Sequence, residues 1–290
     1  MITNLTIGKY GRLGNQLYQY AAAFSLAKKL NTNLLISEES ESQTTLGRFN
    51  PIIKKHDTYT NDLFKLFKIK YAEKRPLNYI KQKIKYYYNE NPTVRYYPEF
   101  WNIQNDTCLH GYFQAKEYVD AYQNDLREEL CFQDFYFDYA FNFIESKKMD
   151  FKRVVSLHIR RGDGLMDNFA FNAELTLNYY KNIIDDNLND NDLILIFSDD
   201  IDWCKMQFKE KNYFFIDNRN FENSHLKDFA LMSMCDINIM AVSTYSWWAC
   251  WLNPLNKEKK IFMPNKWWGY QLINNSEDIY RYDNWIRYEN

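Results

Sequence analysis

The sequence predicts an α/β protein in two parts, and three observations support that prediction. The chain has 290 residues, which is comfortable for two hydrophobic cores. From residue 153 onward, short apolar strands alternate with single helices, a pattern typical of a parallel sheet covered on both faces. Polar clusters follow several of these strands, at the edge where such sheets bind ligands. We therefore expect two domains, residues 1–150 and 151–290.

The N-terminal part begins with a predicted strand, a turn and a helix. NLTIGKYG alternates between polar and apolar residues and then reaches two glycines. NQLYQYAAAFSLAKKLN has apolar residues at helical spacing, and NLLIS predicts a short strand. Residues 38–100 predict irregular structure, with a loop at KYYYNENP. LHGYFQ predicts another strand and EYVDAYQNDLREELCF another helix, and AFNFIESKKMDFK predicts the boundary between the two parts.

The C-terminal part has a more regular pattern. Its predicted strands are residues 153–159, 193–200, 213–217, 237–243 and 260–265. Its predicted helices are residues 175–187, 203–210, 225–235 and 245–253.

Composition limits the class of protein. Hydrophobic residues make up 46% and charged residues 26%, so a folded protein is expected. A net charge of −2 argues against a general nucleic-acid binder. Aromatic content is 18%, which suits sugar rings or bases, although a bias towards Asn, Lys, Ile and Tyr explains the same excess.

No targeting or membrane segment is expected. The N-terminus lacks the pattern of a secretory signal, and the apolar stretches are too short to span a bilayer. The five cysteines form no CxxC pair, which indicates free thiols in a reducing cytosol. A cytoplasmic protein is the expectation.

The turn GKYGRLGNQ places Gly8, Gly11 and Gly14 three residues apart. This spacing is not that of a dinucleotide fold, and no Gly-Lys-Ser/Thr follows, which argues against a nicotinamide site or a P-loop. Glycines between a strand and a helix let backbone N–H groups approach a ligand closely. A tight turn, with Asn15 and Gln16 capping the helix, explains the same residues.

The cluster HIRRGD follows a strand that is predicted to be buried. Adjacent strand residues point to opposite faces, so Arg160 and Arg161 serve one ligand only if the strand has ended, which Gly162 indicates. One arginine is expected to hold a phosphate bidentately while the other pairs with Asp163 or another carboxylate. A surface ion-pair cluster is the alternative.

The segment STYSWW follows a predicted strand and opens a helix. Ser243 is expected to cap that helix, with Ser246 three residues further on. A helix N-terminus with hydroxyls is a site for an anion, although an ordinary cap explains the same residues. Together with an arginine at a neighbouring strand end, the segment indicates a diphosphate site, and its tryptophans are predicted to be packing residues.

Several further groups follow predicted strands or lie near them. Asp199 and Asp200 in FSDD suit a metal, yet no further ligand has matching spacing and Asp200 suits a helix cap. Asp228 is expected in the first turn of its helix, where it either complements the dipole or accepts both N–H donors of a guanine edge. His158 is a candidate ligand-binding residue or a core histidine.

These segments resemble the α-1,2-fucosyltransferases, in particular their soluble bacterial members. The matching pieces occur in the family's order over nearly the whole chain: GRLGNQLYQYAAAFSLA, GYFQAKEYVD with LREEL, LHIRRGD, IFSDD, DFALMSMCDINIMAVSTYSWWACWLN and IFMPNKWW. The resemblance implies a GT-B-like fold of two Rossmann-type domains. The N-terminal domain is expected on the acceptor side, and the C-terminal parallel-sheet domain is expected to hold the donor.

The resemblance also implies the reaction. L-fucose is expected to move from GDP-β-L-fucose to the 2-hydroxyl of a galactoside, with inversion and release of GDP. Related fucosyltransferases need no metal, so no cofactor is expected and GDP-fucose is a substrate. The expected acceptor is a galactose-containing glycan such as an O-antigen in lipopolysaccharide biosynthesis. The protein is expected to have no transmembrane segment and to contact the membrane peripherally.

On the family's pattern, the diphosphate is held by residues of the C-terminal domain. Arg160 is the leading phosphate-binding and catalytic residue, with Arg161 beside it, and Ser243, Thr244 and Ser246 grip the β-phosphate. Guanidinium donors aimed at the leaving oxygens stabilise the transition state more than the ground state.

The remaining expected site residues come from both domains. His158 and Asp228 are expected to recognise guanine. Gly14 belongs to the donor-binding set, and Asn15 is expected to reach the reacting centre from the N-terminal domain.

The general base is expected at Asp163. If Asp163 instead orients an arginine, Asp167 is the alternative base. The chain departs from the family's pattern at Gly164, Asp236 and Val242, and these departures concern the acceptor and the linkage. Other functions stay open: a fucosyltransferase of another linkage, another GDP-sugar donor, a glycan- or nucleotide-sugar-binding protein without turnover, and an aromatic-rich interaction module.

Overall fold

The computed structural model of the chain describes residues 1–38, 61–91, 93–161, 172–253, 260–270, 272 and 275–290. The chain forms two units, Met1–Gln133 and Asp134–Asn290. The division after Gln133 comes before the predicted boundary at residue 150. Most of the segment expected to contain that boundary belongs to a helix, Asp134–Lys148, which packs within the second unit. Each unit contains its own parallel sheet, which confirms the predicted α/β class.

The first unit is built on a five-stranded parallel sheet. Its strands are β1 (Ile2–Asn4), β2 (Leu34–Ser37), β3 (Ala72–Arg75), β4 (Tyr86–Asn89) and β5 (Thr107–His110). Its helices are α1 (Leu13–Lys29), α2 (Leu63–Leu66), α3 (Leu77–Lys83), α4 (Lys116–Asp120) and α5 (Gln123–Glu129). The strand order is β3-β2-β1-β5-β4, so β1 is central, with Ile2 opposite both Leu34 and Thr107.

Helix α1 is buried on nearly all sides, which explains its run of alanine, leucine and aromatic residues. Two of the polar residues that it carries into the core are bonded. The Gln16 side chain accepts a hydrogen bond from the N–H of Asp62 at 3.0 Å, and Ser25 donates to the carbonyl of Tyr118 at 2.8 Å. These bonds remove much of the cost of burying polar groups.

Some predictions for this unit are wrong. KYYYNENP was expected to be a loop but contains β4, an edge strand whose Tyr86 and Tyr87 are exposed, so no apolar alternation marks it. Strand β1 ends at Asn4, and the residues up to the helix form the turn. The helix predicted over residues 117–132 is two short helices, α4 and α5.

The second unit has a six-stranded parallel sheet of order β11-β10-β9-β6-β7-β8. Its strands are β6 (Arg153–Ile159), β7 (Asp192–Ser198), β8 (Tyr213–Phe215), β9 (Ile237–Ile239), β10 (Lys260–Pro264) and β11 (Ile286–Tyr288). Its helices are α6 (Asp134–Lys148), α7 (Leu177–Asn187), α8 (Ile201–Gln207), α9 (Ser224–Met234) and α10 (Thr244–Leu252). The five predicted strands and four predicted helices are confirmed, and α6 and β11 are additional.

Strand β6 lies between β7 and β9, and its two faces meet different helices. Val155, Leu157 and Ile159 pack in a core with residues of α7 and α8. The alternate residues face the opposite layer, where the Ser156 hydroxyl accepts a hydrogen bond from Asn238, whose amide also donates to the Met232 carbonyl in α9. The two-residue period of the strand therefore decides which layer each following side chain reaches.

Within the described ranges, every helix is too short or too polar to cross a bilayer.

Candidate active site

The strands β6 and β7 end side by side at the carboxyl edge of the second sheet. His158 is opposite Phe197 and Ile159 is opposite Ser198, so the residues that follow both strands are neighbours. Arg160 and Arg161 follow β6, and Asp199 and Asp200 follow β7. Two guanidinium groups and two carboxylates therefore meet at one point of the edge where parallel α/β sheets bind ligands.

The two arginines have separate surroundings, as the alternation of strand faces predicts. The Arg161 guanidinium lies over the Trp203 ring at 3.8 Å from its centroid, and its Nε is 3.2 Å from Oδ2 of Asp200. Trp203 packs on the α7 and α8 side of the sheet. Stacking and an ion pair together hold Arg161 on that side.

Arg160 interacts with the other layer. Its Nη1 is 3.7 Å from Oδ2 of Asp199, and its positive charge contributes to the lowered pKa of His158, which faces α9 and α10. The backbone N–H of Arg161 donates to Oδ1 of Asp199 at 2.8 Å. Asp199 therefore contacts both arginines. The carboxylates that pair with Arg160 and Arg161 belong to Asp199 and Asp200, which follow β7.

Asp200 has the role of a helix cap. Its side chain accepts a hydrogen bond from the N–H of Trp203 at 3.2 Å, which confirms the predicted cap of α8. Among the residues described, no group of three or more His, Cys, Asp or Glu side chains has the arrangement of a metal site.

His158 is buried at the end of β6 and carries an unsatisfied polar atom. Burial, reinforced by the nearby positive charge of Arg160, lowers the pKa of His158 to about 3, so the ring is neutral at physiological pH. Its Nδ1 atom has no hydrogen-bond partner in the described part of the chain. Buried polar atoms are usually paired, so this nitrogen, at the edge where parallel sheets bind ligands, is a candidate for contact with a ligand.

The N-terminus of α10 follows β9, the strand beside β6. Ser243 is its N-cap and accepts a hydrogen bond from the N–H of Tyr245 at 3.3 Å, as predicted. Ser246 is buried, and its hydroxyl is directed at the carbonyls of Ala241 and Ser243, at 3.3 and 3.2 Å. Thr244 is the first helical residue. The partial positive charge of this helix end favours an anion.

Tyr245 connects these groups to α9, and the sequence analysis did not single it out. Its ring lies 5.7 Å from the His158 ring and 5.1 Å from the Phe229 ring, and its hydroxyl donates to the carbonyl of His225. Its place between Thr244 and Ser246 in the first turn of α10 was the available signal.

Asp228 lies in the second turn of α9 rather than the first, because the helix begins at Ser224. It shares a helix face with His225, which is three residues before it. Burial raises the pKa of Asp228 to about 6, against the opposing effect of a hydrogen bond from Asn218. A partly buried carboxylate with a strongly shifted pKa is typical of a functional position.

The first unit holds the two other candidate residues, Gly14 and Asn15, both in the first turn of α1. Helix α1 has no side-chain cap, so the capping role considered for Asn15 and Gln16 is wrong. Instead, Oδ1 of Asn15 accepts a hydrogen bond from Gln114 at 2.8 Å. Gly14 is buried.

Gly11 in the preceding turn has a left-handed backbone with φ +78°. A Cβ there would lie 2.2 Å from Nδ2 of Asn15, so only glycine fits beside this amide.

The candidate bases lie outside the described residues. Asp163 and Asp167 both belong to the segment 162–171.

An open cavity of about 460 Å³ occurs elsewhere, at the amino edge of the first sheet, with Met1, Asn33, Lys85 and Asp106 among its lining residues. Because parallel α/β sheets bind ligands at the carboxyl edge, the polar cluster after β6 is the better candidate for an active site.

The described residues at this edge suit an anionic, nucleotide-like ligand. They include a guanidinium, the N-terminus of a helix and a neutral histidine, and helix α9, which contacts α10, carries a partly buried carboxylate. Such an arrangement can stabilise negative charge on a leaving group and can distinguish one base from another.

Comparison with known proteins gives a family. The model for glycosyl transferase family 11 matches residues 1–289. The O-antigen biosynthesis glycosyltransferase WbnK of Escherichia coli is 29% identical, over 95% of this chain and 97% of that protein. An alpha-1,2-colitosyltransferase of Escherichia coli is 25% identical, over 96% and 97%. The galactoside alpha-(1,2)-fucosyltransferase 2 of Bos taurus is 24% identical, over 85% and 68%.

Solved structures of fucosyltransferases share the fold. NodZ alpha-1,6-fucosyltransferase soaked with GDP-fucose has a TM-score of 0.51 at 13% identity, covering 87% of this chain and 92% of that one. POFUT1 in complex with GDP has a TM-score of 0.51 at 13% identity, covering 90% and 97%. This likeness concerns the fold alone, and it confirms the predicted GT-B-like class of two Rossmann-type domains.

Proposed function

The chain belongs to glycosyl transferase family 11, and from that premise we propose that it moves L-fucose from GDP-β-L-fucose to the 2-hydroxyl of a galactoside, with inversion and release of GDP. The observation that carries the proposal is the joint position of Arg160 and the N-terminus of α10 at the ends of two neighbouring strands. Both groups favour negative charge, and a nucleoside diphosphate is the leaving group of this reaction.

The chemistry follows from the movement of charge. As the bond between fucose and the β-phosphate oxygen breaks, negative charge grows on the diphosphate and positive charge on the sugar ring. Arg160 and the first turn of α10, with Ser243, Thr244 and Ser246, stabilise that state more than the ground state. These groups replace a metal ion in the proposal, as the resemblance to metal-independent fucosyltransferases implies.

Arg161 has a supporting part in this scheme. Its guanidinium is engaged by Trp203 and Asp200 on the other side of the sheet, while its backbone N–H holds Asp199, the partner of Arg160. We assign it to holding the strand end in place, with direct contact to the donor as the alternative.

The base of the donor is assigned to the layer of α9 and α10. An ionised Asp228 accepts both N–H groups on the guanine edge, because each carboxylate oxygen takes one of them. The unpaired Nδ1 of His158 forms a further hydrogen bond with the nucleoside. Because its ring is neutral, His158 adds no second positive charge beside Arg160.

The acceptor hydroxyl loses its proton during inversion, and Asp163 is the proposed base. Asn15 is the proposed contribution of the N-terminal domain to the reacting centre, and the acceptor-side role of that domain is part of the same proposal. A galactose-containing glycan on the pathway to an O-antigen is the proposed acceptor, because the Escherichia coli relative WbnK is an O-antigen biosynthesis glycosyltransferase. A cytoplasmic location belongs to the same proposal.

A second donor is favoured by a specific relative. The Escherichia coli colitosyltransferase matches nearly the full length of this chain, and colitose is the 3-deoxy form of L-fucose. A GDP-sugar other than GDP-fucose is therefore the alternative within the same fold and donor site.

A donor screen tests the proposal. The full chain is incubated with GDP-L-fucose, GDP-colitose, UDP-galactose and dTDP-rhamnose, each with mixed galactosides, and products are detected by mass and their linkage by NMR. Transfer from GDP-fucose to O2 of galactose supports the proposal. Transfer from GDP-colitose alone supports the alternative, and binding of GDP without any transfer supports a binding protein.

A further inference from the structure

The carboxylate of Asp228 has a hydrogen-bond partner that comes from outside its own helix. Asn218, in the loop between β8 and α9, donates from Nδ2 to Oδ1 of Asp228 at 2.6 Å. In the described part of the chain, this amide is the one hydrogen-bond donor to the carboxylate. This hydrogen bond restricts the rotation of the Asp228 carboxylate, which is partly buried.

The loop that carries Asn218 is anchored on both sides of it. Asp217 pairs with Lys205 of α8 at 3.2 Å, and Arg219 pairs with Asp202 of α8 at 2.8 Å. Arg219 also contacts Asp217 at 2.7 Å. Each exposed ion pair adds little stability alone, but this network holds the backbone on either side of Asn218 against α8.

A third element contacts the same amide. Tyr139 of α6 lies close to the Asn218 side chain and to the charge of Asp228, and burial raises the pKa of its hydroxyl. The charged and titratable groups that face Asp228 are therefore His225 and Lys227 on its own helix, Asp217 on the loop and Tyr139 on α6.

We propose that Asn218 is a positioning residue that holds Asp228 ready to read guanine, and that it thereby sets the base selectivity of the donor site. This inference rests on the proposed function, in which Asp228 accepts the N1–H and the exocyclic N2–H of guanine. Each carboxylate oxygen has two lone-pair directions, so Oδ1 accepts from Asn218 and from the base at once.

The amide also keeps the carboxylate in its double-acceptor form. Burial favours the protonated acid, and the donor from Asn218 opposes that effect, so the pKa of Asp228 stays near 6. Without the amide, more of the group is protonated at pH 7. A protonated carboxyl carries one donor and loses the pair of acceptors that the guanine edge needs.

Calorimetric titration of the full chain with GDP and with inosine diphosphate measures this selectivity directly, because inosine diphosphate lacks the exocyclic amino group. We expect the unchanged protein to bind GDP about tenfold more tightly than inosine diphosphate, the size of one hydrogen bond to a charged acceptor. In Asn218→Leu, this ratio is expected to fall to about two or less at pH 7 and to recover in part at pH 8.5.

Glu222→Gln is the matched control, because it changes an exposed residue of the same loop that takes no part in the ion pairs with α8, and it keeps the amide. Its GDP to inosine diphosphate ratio is expected to stay at the unchanged value. If Asn218→Leu does not give the native circular dichroism spectrum, Asn218→Ser replaces it, since serine removes the amide without adding an apolar group.

Two outcomes overturn the inference and are distinguishable. If Asp228→Asn abolishes the ratio while the Asn218 variants keep it at every pH, Asn218 does not position the carboxylate and the proposed function stands. If the unchanged protein fails to bind GDP, or if Asp228→Asn keeps the ratio, the assigned base site is wrong and the inference fails with it.

Discussion

Each unit of the chain has a junction of strand, turn and helix at the carboxyl edge of its sheet, and the two junctions carry different chemistry. The first runs from β1 through Gly8 and Gly11 into α1, and its first turn presents the Asn15 amide, bonded to Gln114. The second runs from β9 through Ser243 into α10, beside the strand end that carries Arg160.

The two junctions differ in the role of glycine and in the source of hydrogen-bond donors. In the first unit, Gly11 has the backbone and the space that the Asn15 side chain requires, so its glycine is explained by packing. In the second unit, no glycine is needed, because the serine cap and a guanidinium supply the donors. We therefore assign charge stabilisation to the second junction and neutral hydrogen bonding to the first.

The largest expected effect is at Arg160. Arg160→Ala is expected to reduce kcat by about a thousandfold, because one preorganised donor to a developing anion contributes about this much. The protein is expected to remain folded, since this side chain is partly exposed and follows the strand. Steady-state kinetics with GDP-fucose and circular dichroism measure the two effects.

Arg161→Ala is the matched variant at the adjacent position. It removes a stacked guanidinium from the α8 side and is expected to reduce kcat about tenfold or less. An Arg161 variant that loses as much activity as the Arg160 variant would contradict the separate roles of the two arginines.

The next effect concerns the junction of the first unit. Asn15→Ala is expected to lower kcat/KM by about ten- to a hundredfold through lost positioning at the reacting centre. The affinity for GDP is expected not to change, because the Asn15 side chain, unlike Gly14, is not assigned to donor binding. Kinetics and GDP calorimetry on one preparation separate the two quantities, and a tenfold loss of GDP affinity would break the comparison.

A smaller effect is a pH dependence of GDP binding that belongs to the second unit alone. The pKa of Asp228 is raised to about 6, so the carboxylate that we assign to guanine is present above that value and lost below it. GDP affinity is expected to be constant from pH 7 to 8.5 and to fall by up to tenfold per unit below pH 6. Calorimetry of Asp228→Asn, which cannot titrate, is expected to show a smaller fall that reflects only the titration of the GDP phosphate itself.

The smallest expected effect is that of metal removal. Transfer is expected to continue at the same rate in excess EDTA, because Arg160 and α10 are assigned the stabilisation of the diphosphate. Asp199 and Asp200 are paired with the two arginines. Complete loss of activity that Mg²⁺ or Mn²⁺ restores would place a metal at the end of β7 instead.

The sequence predicted the second unit better than the first, for a physical reason. Buried strands such as β6 and β7 are apolar throughout and are separated by single helices, so their periodicity is visible. The edge strand β4 is a run of exposed tyrosines paired on one side, and its position depends on β5 rather than on its own pattern.

The candidate active site was also only partly predictable from the sequence. The opposite faces of Arg160 and Arg161 follow from the strand period, and the caps by Asp200 and Ser243 follow from local chemistry. The pairing with Asp199, the contact between Tyr245 and His158, and the bond from Asn218 to Asp228 depend on strand register and helix packing. One sequence without its tertiary contacts does not contain that information.

A crystal structure of the protein soaked with GDP tests the central claim most directly. The account predicts that the diphosphate oxygens lie within about 2.7–3.2 Å of the Arg160 guanidinium, at the N-terminus of α10. A diphosphate bound at the turn between β1 and α1, or on the Arg161 side beside Trp203, would contradict it.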